Sequence, residues 1–240
     1  MPTTGVKRMP YLMSGWCSPC RSDNKKAMTI ALEELTLLHT RSYDTKVYRD
    51  DDHMVVVGSV QDVKPPGIYI EGDPDSLEIH HMLVVLRVRL PDLTITEAQV
   101  EFRTHPNESC PLVIEHYGQL VGLSVARGFN RKVRELFGGP RACTHTTALL
   151  QAMAPVVVQA MWSVRMDDRR DEGGDLFDPG AEGGTGPAHF ELNLNTCHVW
   201  AEGSESIERA RAGQMPEVPI WIERRFAELG RDPNEWSGGL

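Results

Sequence analysis

The sequence lacks a long uninterrupted apolar run. Met1 to Leu12 offers no secretory core, and no later stretch reads as long enough to cross a bilayer, so neither an export signal nor a membrane partner is expected. Basic residues are also short: 25 Lys and Arg face 34 Asp and Glu, for a net charge of -9. That balance argues against a phosphate-binding surface and therefore against DNA or RNA as a partner. Cysteine is sparse and odd in number, at five. Scattered thiols without a leader suit a reducing compartment, and a cytoplasmic protein is expected. Cys17 and Cys20 form a CxxC pair, but no second pair follows to close a four-ligand zinc site. No internal repeat is present, which removes solenoid architectures.

What remains is ordinary for a globular chain: 240 residues, 40% hydrophobic and 25% charged. Residues 1–38 read as a leader with a short helix over Ala27 to Leu38. Residues 39–200 read as one core domain, and residues 201–240 as a helical extension. Within the core, Tyr43 to Tyr48 and Met54 to Val63 alternate or are β-branched, and the charged turn Arg49 to His53 joins them as a hairpin. A second hairpin runs from Met82 to Leu90, turns at Pro91-Asp92 and returns from Leu93 to Phe102. Such alternation predicts an antiparallel sheet with one buried side.

Helical patterns follow. Pro111 to Leu120 and Asn130 to Phe137 are short helices, the second closed by Gly138-Gly139. Thr146 to Trp162 is the main helix, with an apolar stripe through Leu149, Leu150, Met153, Val157, Ala160 and Met161, and Pro155 is expected to bend it. Residues 167–187, acidic and rich in glycine, read as a mobile loop or lid. A late strand is expected over Phe190 to Trp200, with Cys197 and His198 on opposite faces, and a last amphipathic helix over Trp221 to Leu229. Strands, then helices, then a late strand is the order of an α+β domain: an antiparallel sheet of hairpins with helices packed on one face.

The chemistry-bearing residues fall at the junctions. Cys143-Thr144-His145 lies between the Gly138-Gly139-Pro140 stop and the main helix, so a thiol and an imidazole sit at the positive end of a helix dipole, which favours thiolate. His80-His81 precedes a strand, and His105 through Cys110 follows its partner, so these two segments are neighbours in an antiparallel hairpin. His80 and His81 point to opposite faces, and one of them is structural. Three uses are open. His81, Cys110, Cys143 and His145 would suffice for a tetrahedral zinc or iron set, although their spacing matches no standard metal motif. Cys143 with a neighbouring His would serve acyl transfer or thioester hydrolysis. His and Asp side chains would serve proton transfer on a neutral organic substrate. Asp62 with Lys64, and His39 with Arg41, are further members, the first pair having a plain alternative as surface charges on a strand end. The Asp50 to Asp52 run lacks the ligand spacing of a calcium loop.

His39-Thr40-Arg41, Gly58 through Lys64, His80-His81-Met82, Cys110-Pro111, Gly122 through Phe129 and Gly138 through His145 together resemble the bacterial family called domain of unknown function 2889, from about His39 to Trp200. Ala142 stands where that family is expected to have glycine. The resemblance implies bacterial breakdown of aromatic compounds, including lyases that release formaldehyde from lignin-like dimers. The layout of hairpin, Cys-bearing loop and long helix is also similar to iron-sulfur cluster scaffold proteins, from which this chain departs by offering His81 in place of the first Cys.

The leading expectation is therefore a carbon–carbon lyase acting on a small aromatic substrate, with His81, His145, Cys143, His80 and Asp62 catalytic. His39, Arg41, Tyr43, Lys64, Cys110 and Arg127 would line the substrate. A Cys143-dependent acyltransferase or thioesterase is the alternative enzyme, and a metal or iron-sulfur carrier the alternative without catalysis. No cofactor is required, though zinc or iron would have the four-residue set above. A homodimer is expected, because an open sheet has an edge to cover.

Overall fold

A computed structural model of the protein describes residues 31–90, 92–126, 128–171, 194–212, 214 and 218–233. The chain divides into two compact units, 1–37 and 38–240. In the first, Leu32–Glu34 makes one 3₁₀ turn in place of the short helix expected over Ala27 to Leu38. The residue before it, Ala31, has no side chain to cap a longer one. Residues 27–30 of that expected helix lie outside the described residues.

The second unit is built on four antiparallel strands in meander order: β1 (Thr40–Asp50), β2 (His53–Lys64), β3 (Leu77–Arg89) and β4 (Ile95–Thr104). Both expected hairpins are present; β1 and β2 are longer than expected at both ends, β3 starts earlier at Leu77 and stops at Arg89, and β4 is shifted two residues along the chain. Period-two alternation sends Met54, Val56 and Val60 of β2 and Met82, Val84, Leu86 and Val88 of β3 to one face, where all are buried. The other face carries Val55, Val57, Leu83 and Val85, half-buried. Two register shifts interrupt the ladders at one end of the sheet, between Asp62 and Val63 and between His81 and Met82.

Helices cover the buried face, as an α+β fold requires. Cys110–Leu120 is a 3₁₀ stretch and not an α-helix; it buries Tyr117 and Leu120 and packs Cys110, Val113 and Ile114 against the core. Helix α1 (Phe129–Phe137) buries Phe129, Val133 and Phe137. Helix α2 (Thr144–Asp171) runs from the Asp62 end of the sheet to the Arg49 end, burying Leu149, Leu150, Met153 and Val157. It is continuous through Pro155, which lies on its exposed side. By length and composition Thr144–Asp168 is apolar enough to cross a membrane, contrary to the sequence expectation. Its buried stripe on the sheet is that of a core helix.

The acidic segment differs in its first residues: 167–171 continue α2, because Arg49 of β1 pairs with Asp167 at 3.2 Å and Asp168 at 2.5 Å and holds the last turns on the sheet. Residues 172–187 of the expected lid lie outside the described residues. The late strand is not formed in its described part. Residues 194–200 are turns ending in a 3₁₀ turn at His198–Trp200, with Asn195 at a positive φ of 61°, which no strand tolerates, and residues 190–193 lie outside the described residues. The helical extension expected over residues 201–240 holds two helices in its described part, α3 (Glu205–Arg211), capped by Ser204 through the Ile207 amide, and α4 (Ile220–Glu228), of which only the second was individually expected.

Helix and sheet pack closely at Gly58, where an added Cβ would run into Met153 Sδ. Met153 is 1% exposed and has no room to retreat. Gly58→Ala is expected to cost about 1–3 kcal/mol by overpacking, and Met153→Ala in the same chain to recover part of that loss. Urea unfolding of the four proteins in this cycle measures the coupling, and strictly additive losses would contradict the close approach.

Candidate active site

Asp62 continues the inward series Met54, Val56, Gly58, Val60 on β2, so strand alternation carries its carboxylate to the core side, where the residue is 1% exposed. A buried carboxylate needs partners, and the register supplies them. Arg41 of β1 and His80 of β3 are its direct cross-strand neighbours. Arg41 grips it with both arms of the guanidinium fork: Nε donates to Oδ1 and Nη2 to Oδ2, each at 2.6 Å. His80 Nδ1 lies 3.1 Å from Oδ2. His39, at the approach to β1, places Nε2 3.3 Å from Oδ1, and His145 from the first turn of α2 places Nε2 3.2 Å from Oδ2. The His80 and His145 rings stack with centroids 4.0 Å apart and 29° between planes.

The electrostatics follow from this crowd of donors. The Arg41 hydrogen bonds hold the Asp62 carboxyl well below the usual carboxylate range, against the opposing effect of burial, so it is an anion. Arg41 is raised in turn, chiefly by its bond to Asp62. Burial pushes His145 below the ordinary imidazole value, helped by His80 and Arg41 and resisted by Asp62. The other ring nitrogen of His145, Nδ1, lies 3.6 Å from Cys143 Sγ.

Cys143 is fixed through its backbone. Its N–H donates to the Tyr117 hydroxyl at 3.1 Å, and that hydroxyl donates back to the Cys143 carbonyl at 3.3 Å. Thr147 adds its hydroxyl to the same carbonyl at 2.8 Å. Tyr117 is 1% exposed, and burial pushes its phenol up to about 12, so the hydroxyl stays protonated as both donor and acceptor. Nothing in the Cys143 motif signalled Tyr117, a buried residue of the Cys110–Leu120 stretch.

The expected site is thus assembled in part. His80, His145, Cys143, Asp62, His39 and Arg41 come together. Tyr43 lies next along the same face of β1 and makes a lesser contact with Arg41. His81, expected to be catalytic, faces the other side of the sheet, because successive strand residues alternate. There its Nδ1 lies 3.3 Å from Glu78, whose carboxylate also accepts from Gln61 and Thr104, and those two bonds hold Glu78 below its usual range. Lys64 does not pair with Asp62, which already has Arg41 within the fold; its ammonium sits 5.0 Å from the Tyr69 ring centre. Cys110 opens the 3₁₀ stretch and packs against the core, outside the cluster around Asp62. Arg127 lies outside the described residues. The four-residue metal set is therefore not formed. Among the described residues, the potential ligands that do converge are Asp62, His80 and His145, whose atoms all lie within 4.8 Å of one another.

The chain belongs to the family of proteins of unknown function DUF2889, whose profile matches residues 39–159 and so spans the sheet, Asp62 and most of α2. No curated protein and no solved structure matches it.

The backbone tie to Cys143 has a measurable consequence. Tyr117→Phe leaves the Cys143 amide and carbonyl without their shared partner and is expected to cost about 1–3 kcal/mol, read from the urea midpoint. The same protein should show an altered rate of Cys143 alkylation by iodoacetamide. An unchanged midpoint and rate would mean that the hydroxyl does not hold this residue.

Proposed function

We propose that this member of the DUF2889 family is a lyase that breaks a carbon–carbon bond in a small hydroxylated aromatic compound and releases formaldehyde. The observation that carries the reading is a buried anionic carboxylate ringed by three imidazoles at a sheet end that solvent reaches. His39 is the most open of the three, with 35% of its side chain exposed against 18% for His80 and 17% for His145. With Asp62 accepting from Nε2–H of His39, the lone pair of Nδ1 is left free to act as base. A hydroxymethyl O–H would give its proton to that nitrogen, and the oxygen electrons would form the carbonyl of formaldehyde as the carbon–carbon bond breaks. The released pair would stay on the neighbouring carbon until that carbon is protonated or expels an oxygen substituent. Arg41 is the fixed cation beside this step. The substrate class rests on the family resemblance. The reading includes a cytoplasmic homodimer, in keeping with free thiols at Cys110, Cys143 and Cys197.

One contact favours a second reading. Cys143, His145 and Asp62 are in line, with Sγ to Nδ1 at 3.6 Å and Nε2 to Oδ2 at 3.2 Å, the order of nucleophile, base and orienting carboxylate in a thiol acyltransferase.

Incubation with phenolic dimers carrying a hydroxymethyl group, followed by a formaldehyde assay, tests the first reading. His39→Ala is expected to lower turnover by roughly 10²–10⁴-fold, while His81→Ala leaves it unchanged. No formaldehyde from any such dimer would overturn the lyase. A stable acyl adduct on Cys143 after treatment with an activated ester, lost in Cys143→Ser, would support the thiol reading instead; formaldehyde release that survives Cys143→Ser would exclude it.

A further inference from the structure

Asp62 has more nitrogen neighbours than it can serve. Oδ2 faces Arg41 Nη2 at 2.6 Å, His80 Nδ1 at 3.1 Å and His145 Nε2 at 3.2 Å, while Oδ1 faces Arg41 Nε at 2.6 Å and His39 Nε2 at 3.3 Å. A carboxylate offers about four lone-pair positions, two per oxygen. Arg41 takes one on each oxygen with short bonds. That leaves a single position on Oδ2 for two stacked imidazoles, and an imidazole nitrogen turned to an occupied anion without a proton would be repelled.

We infer that Asp62, His80 and His145 bind a divalent first-row transition-metal ion, with Oδ2, Nδ1 and Nε2 as ligand atoms. An ion ~2.0–2.2 Å from each such atom holds neighbouring ligand atoms about 3 Å apart, which is the spacing of the two nitrogens from Oδ2. The cation takes the lone pairs of both imidazoles and removes the excess of donors. Two imidazoles and one carboxylate form a borderline donor set suited to zinc or iron(II), and three protein ligands leave positions open for a substrate. The outer partners a metal site requires are present: Arg41 and His39 hold the second oxygen of Asp62, and Cys143 Sγ stands 3.6 Å from the second nitrogen of His145. With Arg41 beside it, a dication would leave the centre positive, so the open position would take an anionic oxygen such as an alkoxide or phenolate. That catalytic consequence, though not the binding itself, rests on the lyase reading above. His39 is not among the ligands and keeps its role as base.

The test uses the full chain, stripped with a chelator, with Cys17→Ser and Cys20→Ser as background so that the CxxC pair contributes no zinc. Dialysis against Zn²⁺ followed by metal analysis should return one ion per chain. Co²⁺ should give ligand-field bands without a strong thiolate charge-transfer band. Loss of a mere outer partner typically weakens a site about 10–100-fold, so His80→Ala and His145→Ala should each weaken uptake by more than about a hundredfold, and His81→Ala should leave it unchanged. Since His145 belongs to the first turn of α2, circular dichroism of each variant and the rise in wild-type melting temperature with Zn²⁺, absent in His80→Ala, keep folding and binding apart. No uptake by the stripped chain, uptake unaffected by His80→Ala and His145→Ala, or a thiolate band removed by Cys143→Ser would each overturn the inference. Formaldehyde release by a chain that takes up no ion would sink the metal site alone, and ion uptake without formaldehyde from any dimer would sink the lyase alone.

Discussion

A negative charge held almost out of water at the end of a sheet is the constraint on which this site depends. An isolated buried carboxylate would neutralise itself by taking up a proton. Asp62 does not, because Arg41 meets both its oxygens across the ladder, and the short paired bonds outweigh the loss of hydration. Once the anion is fixed, three imidazoles from three segments distant in sequence have a common point to face. The strand register and the start of α2 deliver them to it. Removing the carboxylate would leave a cluster of bases and cations with nothing to hold it together.

The fold was largely legible, and the reason is periodicity. Alternation marked the two hairpins, and the 3–4 spacing of Leu149, Leu150, Met153 and Val157 marked the long helix. The failures lie where period and residue type part company. Cys110–Leu120 is 3₁₀ and not α, yet its packed residues Cys110, Val113, Ile114 and Tyr117 keep the 3–4 spacing an α-helix would show. Residues 194–200 have β-forming types, but Asn195 turns the chain with a positive φ that no side-chain pattern announces. Asp167 and Asp168 read as the start of a mobile loop because Arg49, their partner, is over a hundred residues away.

The site was legible by residue type and less so by direction. The convergence of thiol, imidazole and carboxylate was expected, and His80, His145, Cys143 and Asp62 do converge. The error was one of parity. Leu83, Val84, Val85 and Leu86 are apolar on both faces of β3, so the sequence offers no way to tell which of His80 and His81 faces the helices. Asp62 was paired with Lys64, its neighbour along the chain, whereas the ladder pairs it with Arg41, 21 residues earlier. Tyr117 was invisible because its role is toward the Cys143 backbone, which carries no signature in the side-chain alphabet.

Consecutive residues of β3 serve opposite sides of the sheet: His80 reaches Asp62 within, and His81 reaches Glu78 without. Adjacent residues of an extended strand send their side chains to opposite faces, so the two imidazoles belong to separate polar clusters. Gln61 and Thr104, fastened to Glu78 from the flanking strands, tie the outer face across three strands. One strand end thus carries two independent polar knots back to back, and the outer one can be altered without touching the inner.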